Sequence, residues 1–271
     1  MPLSPVGVGI SERFAERKAE VRSTLVPYVT CGFPSADASV EVLSALAEAG
    51  GDVLELGIPF SDPLADGPTI QASTHRALEG GMTVAGTLEV LSTFRAVSDV
   101  PVVLFSYVNP LLRYGLEAFL QDAEEAGAQG ILLTDVPTGA DPAVEEAILD
   151  SPLDLIRLIA PTTEPDRIAL VAASGQGFLY YISRTGVTGA RETLSDGLEA
   201  EVRSLRREVD LPLAVGFGIS TPQQAALVAD VADGVVVGSA LIKALDGGGV
   251  AEASRLLESM RSAMDQGRDT G

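Results

Sequence analysis

Two carboxylates close together in the chain carry its strongest chemical signal. Glu55 stands inside the apolar run Val53–Phe60 (VLELGIPF), and Asp66 follows in the loop-like segment PFSDPLADGPTIQ. A carboxylate within an apolar run is expensive unless it has a partner or a task. Burial there would raise its pKa toward neutrality, where one group can both give and take a proton. The competing assignment is a structural Glu paired with an Arg or with backbone N–H groups. Asp66-Gly67 alone is a turn signal, and a loop Asp commonly turns or caps the chain. Its place on the long segment that follows Glu55 raises it. Two carboxylates of one such unit can sit in environments that separate their pKa values, the pattern for acid/base work.

A second signal lies near the other end. Gly216-Phe217-Gly218-Ile219-Ser220 and Gly238-Ser239-Ala240 each follow a short apolar run. Glycines there let backbone N–H groups approach an anion, and a helix starting at Gly238 would direct its positive end the same way. Either glycine group alone is weak, because tight turns use Gly anyway. Together they predict a phosphate site that needs no Lys or Arg.

Composition narrows the chemistry further. The 271 residues include one His, one Cys and two lysines, Lys18 and Lys243. That is too little for a His- or Cys-rich metal site, and neither lysine stands in a neighbourhood that suggests a Schiff base. His75 falls in a helical stretch and is expected at the surface; Cys31 is expected as a free thiol, packed or semi-exposed. Lys and Arg total 18 against 38 Asp and Glu, a net charge of −20. So acidic a chain is not expected to bind nucleic acid. No apolar run reaches the length of a membrane span and no signal-peptide pattern opens the chain, so a cytoplasmic protein is expected.

The elements that must position these residues alternate regularly. Strand-like runs are Thr24–Thr30, Val53–Leu56, Pro101–Ser106, Gly130–Thr134, Leu153–Ile159, Phe178–Ser183, Leu213–Val215 and Gly234–Val237. Helical stretches separate them: Asp37–Ala49, Thr69–Leu78, Leu116–Ala126, Pro142–Leu149, Glu164–Ala173 and Leu198–Val209, with Pro222 opening another. A last helix, Val250–Met264, follows the hinge Gly247-Gly248-Gly249. Eight units of about 30 residues predict one (β/α)₈ (TIM) barrel domain over residues 1–271, with an additional N-terminal helix. The strands are continuous apolar runs, as parallel strands covered on both faces require. A doubly wound open sheet with a small second domain is the alternative, but no linker divides the chain. In a barrel the site lies at the C-terminal ends of the strands. Alternation then puts Val53, Glu55 and Gly57 on one face, so Glu55 could point into the mouth. The polar segment Arg184–Thr193 is too long for a minimal turn and suggests a lid hinged at Gly186 and Gly189; a variable surface loop is the alternative.

In order along the chain, these segments resemble the α subunit of tryptophan synthase, over nearly the whole length. The resemblance is carried by Glu55–Gln71 (ELGIPFSDPLADGPTIQ), Tyr107–Asn109 (YVN), Leu133–Pro137 (LTDVP), Ser183–Gly189 (SRTGVTG), Gly216–Ser220 (GFGIS) and Gly238–Ala240 (GSA). It implies a (β/α)₈ lyase of tryptophan biosynthesis that cleaves indole-3-glycerol phosphate to indole and glyceraldehyde 3-phosphate. It further implies that Glu55 and Asp66 are catalytic, Tyr180 is near the substrate, and Thr188 is a lid residue that bonds to the catalytic Asp. Gly189, Gly218, Gly238 and Ser239 would supply the phosphate-binding backbone, and Tyr28, Phe105, Leu132 and Phe217 the walls of an indole pocket. Tyr28 departs from the family's common Phe and Phe105 from a frequent Leu. No cofactor is implied in this chain. Pyridoxal phosphate belongs to a β-subunit partner that receives the indole in an α₂β₂ heterotetramer, and Asp62, Asn109 and Pro137 match positions that face it.

The chemistry is consistent with the resemblance. Breaking the bond at indole C3 is a retro-aldol step. A route without lysine or metal protonates C3 and removes a proton from the neighbouring hydroxyl, while an ionised carboxylate stabilises positive charge at the indole N–H. The alternatives are a free-standing lyase that needs no partner and a catalytically silent regulatory subunit. The related synthase that makes indole-3-glycerol phosphate would require a lysine in the barrel mouth.

Overall fold

The computed structural model of the chain describes residues 8–182, 196–216 and 218–266. Eight short parallel strands close into one barrel: β1 Thr24–Thr30, β2 Leu54–Gly57, β3 Val102–Ser106, β4 Gly130–Leu133, β5 Asp154–Ile159, β6 Leu179–Ile182, β7 Leu213–Gly216 and β8 Gly234–Val237. β1 pairs with both β2 and β8, so no edge is left and the open-sheet alternative is excluded. The strands are buried almost throughout because helices cover their outer face and side chains fill their inner one.

The helices are α1 Ile10–Ala19, α2 Ser39–Glu48, α3 Pro68–Glu79, α4 Val84–Arg95, α5 Val108–Tyr114, α6 Leu116–Ala126, α7 Pro142–Leu149, α8 Pro165–Ala173, α9 Asp196–Glu208, α10 Pro222–Ala229 and α11 Ser239–Gln266. α3, α7, α8 and α10 each open on a Pro, whose missing N–H costs nothing in the first turn. α11 is interrupted at Gly249, which takes φ 68°, ψ −164°. Two helices go beyond the sequence expectations. α4 contains Gly86 and several β-branched residues, so its intrinsic helical signal is weak. Its start is secured by Thr83, whose side chain accepts from the Gly86 N–H. α5 is short and contains Pro110, which sits in its opening turn.

The barrel interior is built in layers of four side chains contributed by alternate strands. The strand register with the two-residue alternation assigns Val26, Val103, Ile156 and Ala214 to one layer, from odd strands. Above it lie Glu55, Leu132, Tyr180 and Val236 from even strands, and above those Tyr28, Phe105, Leu158 and Gly216 from odd strands. α1 closes the opposite end. Ile10 and Phe14 join the interior cluster, and the Phe14 ring stacks on Phe178 at 5.1 Å. With the bottom plugged by apolar side chains, only the C-terminal mouth remains open. Among the described residues, no helix is long and apolar enough to cross a membrane.

Candidate active site

A cavity of about 460 Å³ occupies that mouth. Glu55 lies in its floor. β2 presents it inward beside Tyr28 of β1 and Val103 of β3, its partners in register. The side chain is 1 % exposed, and its Oε1 is buried with no hydrogen-bond partner. Burial alone pushes its pKa up to about 8. The Arg or backbone partner that a structural carboxylate would require is missing among the described residues. At neutral pH such a group is mostly a carboxylic acid, able to donate a proton into the cavity.

Asp66 reaches the same cavity from the loop between β2 and α3. That loop is held by named bonds. The Asp66 N–H donates to the Pro63 carbonyl at 3.1 Å, and the Gln71 amide donates to the Asp66 carbonyl at 2.9 Å. Tyr107 fixes the side chain: its hydroxyl accepts from the Ala65 N–H at 2.9 Å and so directs its one proton to Asp66 Oδ2 at 3.0 Å. Burial raises the Asp66 pKa to about 6, and the Tyr107 bond opposes that rise. Asp66 is therefore mainly ionised where Glu55 is mainly protonated. The two carboxylates differ because Glu55 is fully buried without a hydrogen bond, whereas Asp66 is less buried and accepts one from Tyr107.

The walls follow from the layers. Tyr28 and Phe105 meet edge-on, ring centroids 5.1 Å apart at 74°. Both line the cavity, as do Tyr180, Gly218, Gly238 and Ser239. Burial raises the Tyr28 and Tyr180 hydroxyls far above their ordinary pKa, with the nearby carboxylates adding to it, so both stay neutral. Each hydroxyl seats over a glycine of the next strand. A Cβ on Gly57 would lie 2.3 Å from Tyr28 Oη, and one on Gly216 2.3 Å from Tyr180 Oη. Tyr28 also finds a polar partner in Thr30, 3.3 Å away, which is bonded to Ser73 of α3 at 2.7 Å. Ser73 donates to the Ile70 carbonyl. The proton order is thereby set: Tyr28 to Thr30 to Ser73 to the carbonyl.

Leu132 belongs to the floor layer of Glu55 and Tyr180, yet it does not line the cavity. It is fully buried in the interior cluster, in the layer below Phe105 and Leu158. Phe217, Thr188 and Gly189 lie outside the described residues, as does the lid-like segment 184–193. The loop after β7 is braced where it is described. Gln224 Oε1 accepts from the Ser220 and Thr221 N–H groups, the second as part of a capping box that starts α10. His75 is exposed and pairs with Glu79 at 3.2 Å. Cys31 is 1 % exposed, and burial pushes its thiol up to about 11, so it is no nucleophile at neutral pH.

Two cavity residues escape sequence reasoning. Tyr107 enters it only as part of a matching tripeptide. Lys243, set aside because no chemistry surrounds it in sequence, lines the cavity one helical turn beyond Ser239. Helical spacing alone would have put it on the face of Ser239. Among the described residues no cluster of His, Cys, Asp and Glu could hold a metal ion.

A family model described as tryptophan synthase alpha chain matches residues 14–267. The chain belongs to the tryptophan synthase alpha chain family. It is similar to the alpha chain of Geobacter sp. (strain M21), 48 % identical over 258 residues that cover 95 % of this chain and 97 % of the relative. The alpha chain of Citrifermentans bemidjiense matches with the same identity and coverage. A crystal structure of the Legionella pneumophila alpha chain superposes with a TM-score of 0.88 at 36 % identity, covering 95 % of this chain and 97 % of that one. Tryptophan synthase from M. tuberculosis in an open form gives 0.86 at 34 % identity, over 94 % of this chain and 98 % of that one. The family's activity is the alpha reaction of tryptophan biosynthesis, a lyase step that cleaves indole-3-glycerol phosphate to indole and glyceraldehyde 3-phosphate. The family needs no cofactor of its own for this step, and its name implies a beta-chain partner.

Proposed function

We propose that Glu55 and Asp66 carry the alpha reaction in this chain as an acid and an ionised carboxylate. The observation that carries this is the Glu55 side chain, buried in the cavity floor with an oxygen that no described group satisfies. In this reading Glu55 protonates indole C3 and then takes the proton of the neighbouring hydroxyl as the carbon–carbon bond breaks. Asp66 stabilises the positive charge that develops at the indole N–H, from a position set by Tyr107. Tyr28, Phe105, Tyr180 and Phe217 wall the indole, with Leu132 supporting them from the floor layer. The backbone at Gly189, Gly218, Gly238 and Ser239 holds the phosphate, with Thr188 closing over Asp66. Binding energy at the phosphate then orients the bond that breaks. Glu55→Gln and Asp66→Asn each reduce cleavage by several orders of magnitude while substrate binding survives. An active Glu55→Gln enzyme would falsify the assignment.

The reading extends to the assembly. An α₂β₂ heterotetramer, in which a pyridoxal-phosphate β subunit receives the indole, is supported by the rim of the barrel mouth. Asp62, Asn109 and Pro137 are all exposed there. Beside the first two stand Leu64 and Leu112, at 90 % and 51 % exposure, large apolar side chains in water that a partner would cover. Cleavage measured on the purified chain, then with β subunit added, separates this from a free-standing lyase. Strong activation supports the synthase assembly, and high solitary activity opposes it.

A further inference from the structure

Lys243 is one of two lysines in a chain of net charge −20. Among the described residues that line the cavity it is the one cationic side chain. It is exposed, on the second turn of α11. Side chains of an α-helix tilt back toward its N-terminus. Lys243 therefore extends over the turn that begins at Ser239, beside the Gly238 and Ser239 backbone that lines the same cavity. Among the described residues, no carboxylate is paired with it, and those that follow on α11 have other partners. Asp246, one turn further on, pairs with Arg76, while Glu252 pairs with Arg255 and Asp265 with Arg22 and Arg261. Among the described residues, Lys243 has neither an ion pair nor a hydrogen bond. A cation near the start of a helix also gains nothing from the helix dipole, which favours anions there. An anion seated at that end of the cavity would give this cation a partner.

We propose that Lys243 is a substrate-binding residue whose ammonium contacts the substrate's phosphate from the rim, beside the backbone amides of the loops after β7 and β8. This rests on the phosphate end assigned above and adds a full charge to a site otherwise made of dipoles. The addition matters in so acidic a protein. A phosphate monoester is close to dianionic at neutral pH, and the field of the chain repels it at long range. One cation at the mouth offsets that repulsion where the substrate enters. Lys243 has no part in an imine in this reading, because an imine-forming lysine is desolvated and Lys243 is exposed.

The test compares wild type, K243Q and K243R as full-length chains, with circular dichroism and a thermal melt confirming that each is folded. An exposed charge contact of about 1 kcal/mol corresponds to roughly a fivefold change in binding. K243Q therefore raises KM for indole-3-glycerol phosphate about fivefold, and K243R restores most of the loss. Between about 0.05 and 0.3 M salt, kcat/KM of the wild type falls more steeply than that of K243Q, because screening removes what the variant has already lost. Inhibition by glycerol 3-phosphate, set against glycerol, separates this proposal from the reading it rests on. A phosphate preference that shrinks in K243Q supports it. An undiminished preference with an unchanged salt slope overturns the role of Lys243 and leaves the phosphate end standing. No preference for the phosphate in wild type overturns both. A collapse of kcat in K243Q with KM unmoved would put the lysine in the chemistry and equally overturn the proposal.

Discussion

Replacing Glu55 by Gln probes both the acid/base role and the raised pKa. The carboxyl is 1 % exposed, and burial lifts its pKa from 4.5 to about 8. In the unfolded chain Glu55 loses its proton near 4.5; in the fold it keeps it until about 8. Between those values the folded state binds the additional proton, so stability falls as pH rises, by about 1.4 kcal/mol per pH unit. By pH 7 the wild type has lost about 3 kcal/mol relative to acid conditions, and the loss levels off at about 5 kcal/mol above the folded-state pKa. A Gln side chain cannot titrate, so this slope disappears in the variant. Both side chains bury a polar group, so the pH dependence of the difference isolates the charge. The chain has no Trp, so urea unfolding is followed by circular dichroism, at about pH 5, 6, 7 and 8. The variant gains on the wild type with each step while cleavage is lost by orders of magnitude. A stability difference that stays flat across this range would refute the raised pKa.

Three further outcomes follow from the same geometry. The pH profile of kcat/KM is bell-shaped, rising through about 6 as Asp66 ionises and falling through about 8 as Glu55 loses its proton, as steady-state rates will show. Tyr107→Phe removes the donor to Asp66 and the acceptor of the Ala65 N–H, so the acid limb moves to higher pH and cleavage falls about tenfold; an unmoved limb counts against the hydrogen bond. Gly57→Ala places a methyl group 2.3 Å from Tyr28 Oη and 2.8 Å from its Cζ, at a cost of about 1–3 kcal/mol in a thermal or urea melt. Adding Tyr28→Phe recovers part of that loss, because it removes the hydroxyl but leaves the ring.

Regular punctuation made most of the barrel readable. β1 and β8 occupy the residues expected of them, and so do α6 and α7; β8, α6 and α7 end against Gly or charged residues. α4 is invisible to the same reasoning, because its helicity comes from packing Leu88, Leu91 and Phe94 into the core rather than from propensity. Glu55 stands out because a carboxylate in an apolar run breaks a local rule, and broken rules gather at functional sites. Tyr107 breaks none. Its role exists only because the loop folds back until the Ala65 N–H and the Asp66 carboxylate meet one hydroxyl.

Leu132 and Lys243 expose the limit of reading residues by type. Phe105 and Leu132 are partners in register on adjacent strands, both point inward, and only Phe105 reaches the cavity. Strands of a barrel are tilted, so alternate strands feed different layers. Leu132 shares the layer of Glu55, Tyr180 and Val236. Of these four it alone does not line the cavity. Tyr180 and Val236 instead flank Gly216, where the layer above has no side chain. That gap at Gly216 opens the floor and gives the Tyr180 hydroxyl its seat, so a residue with nothing to contribute chemically decides which side chains the substrate can meet. Lys243 is the converse case. Its type is scarce in the chain and its neighbours in sequence are apolar, yet one helical turn carries it over Ser239 and into the site. Scarcity of a residue type limits how many such groups a site can hold; the helix and the barrel decide where the few are placed.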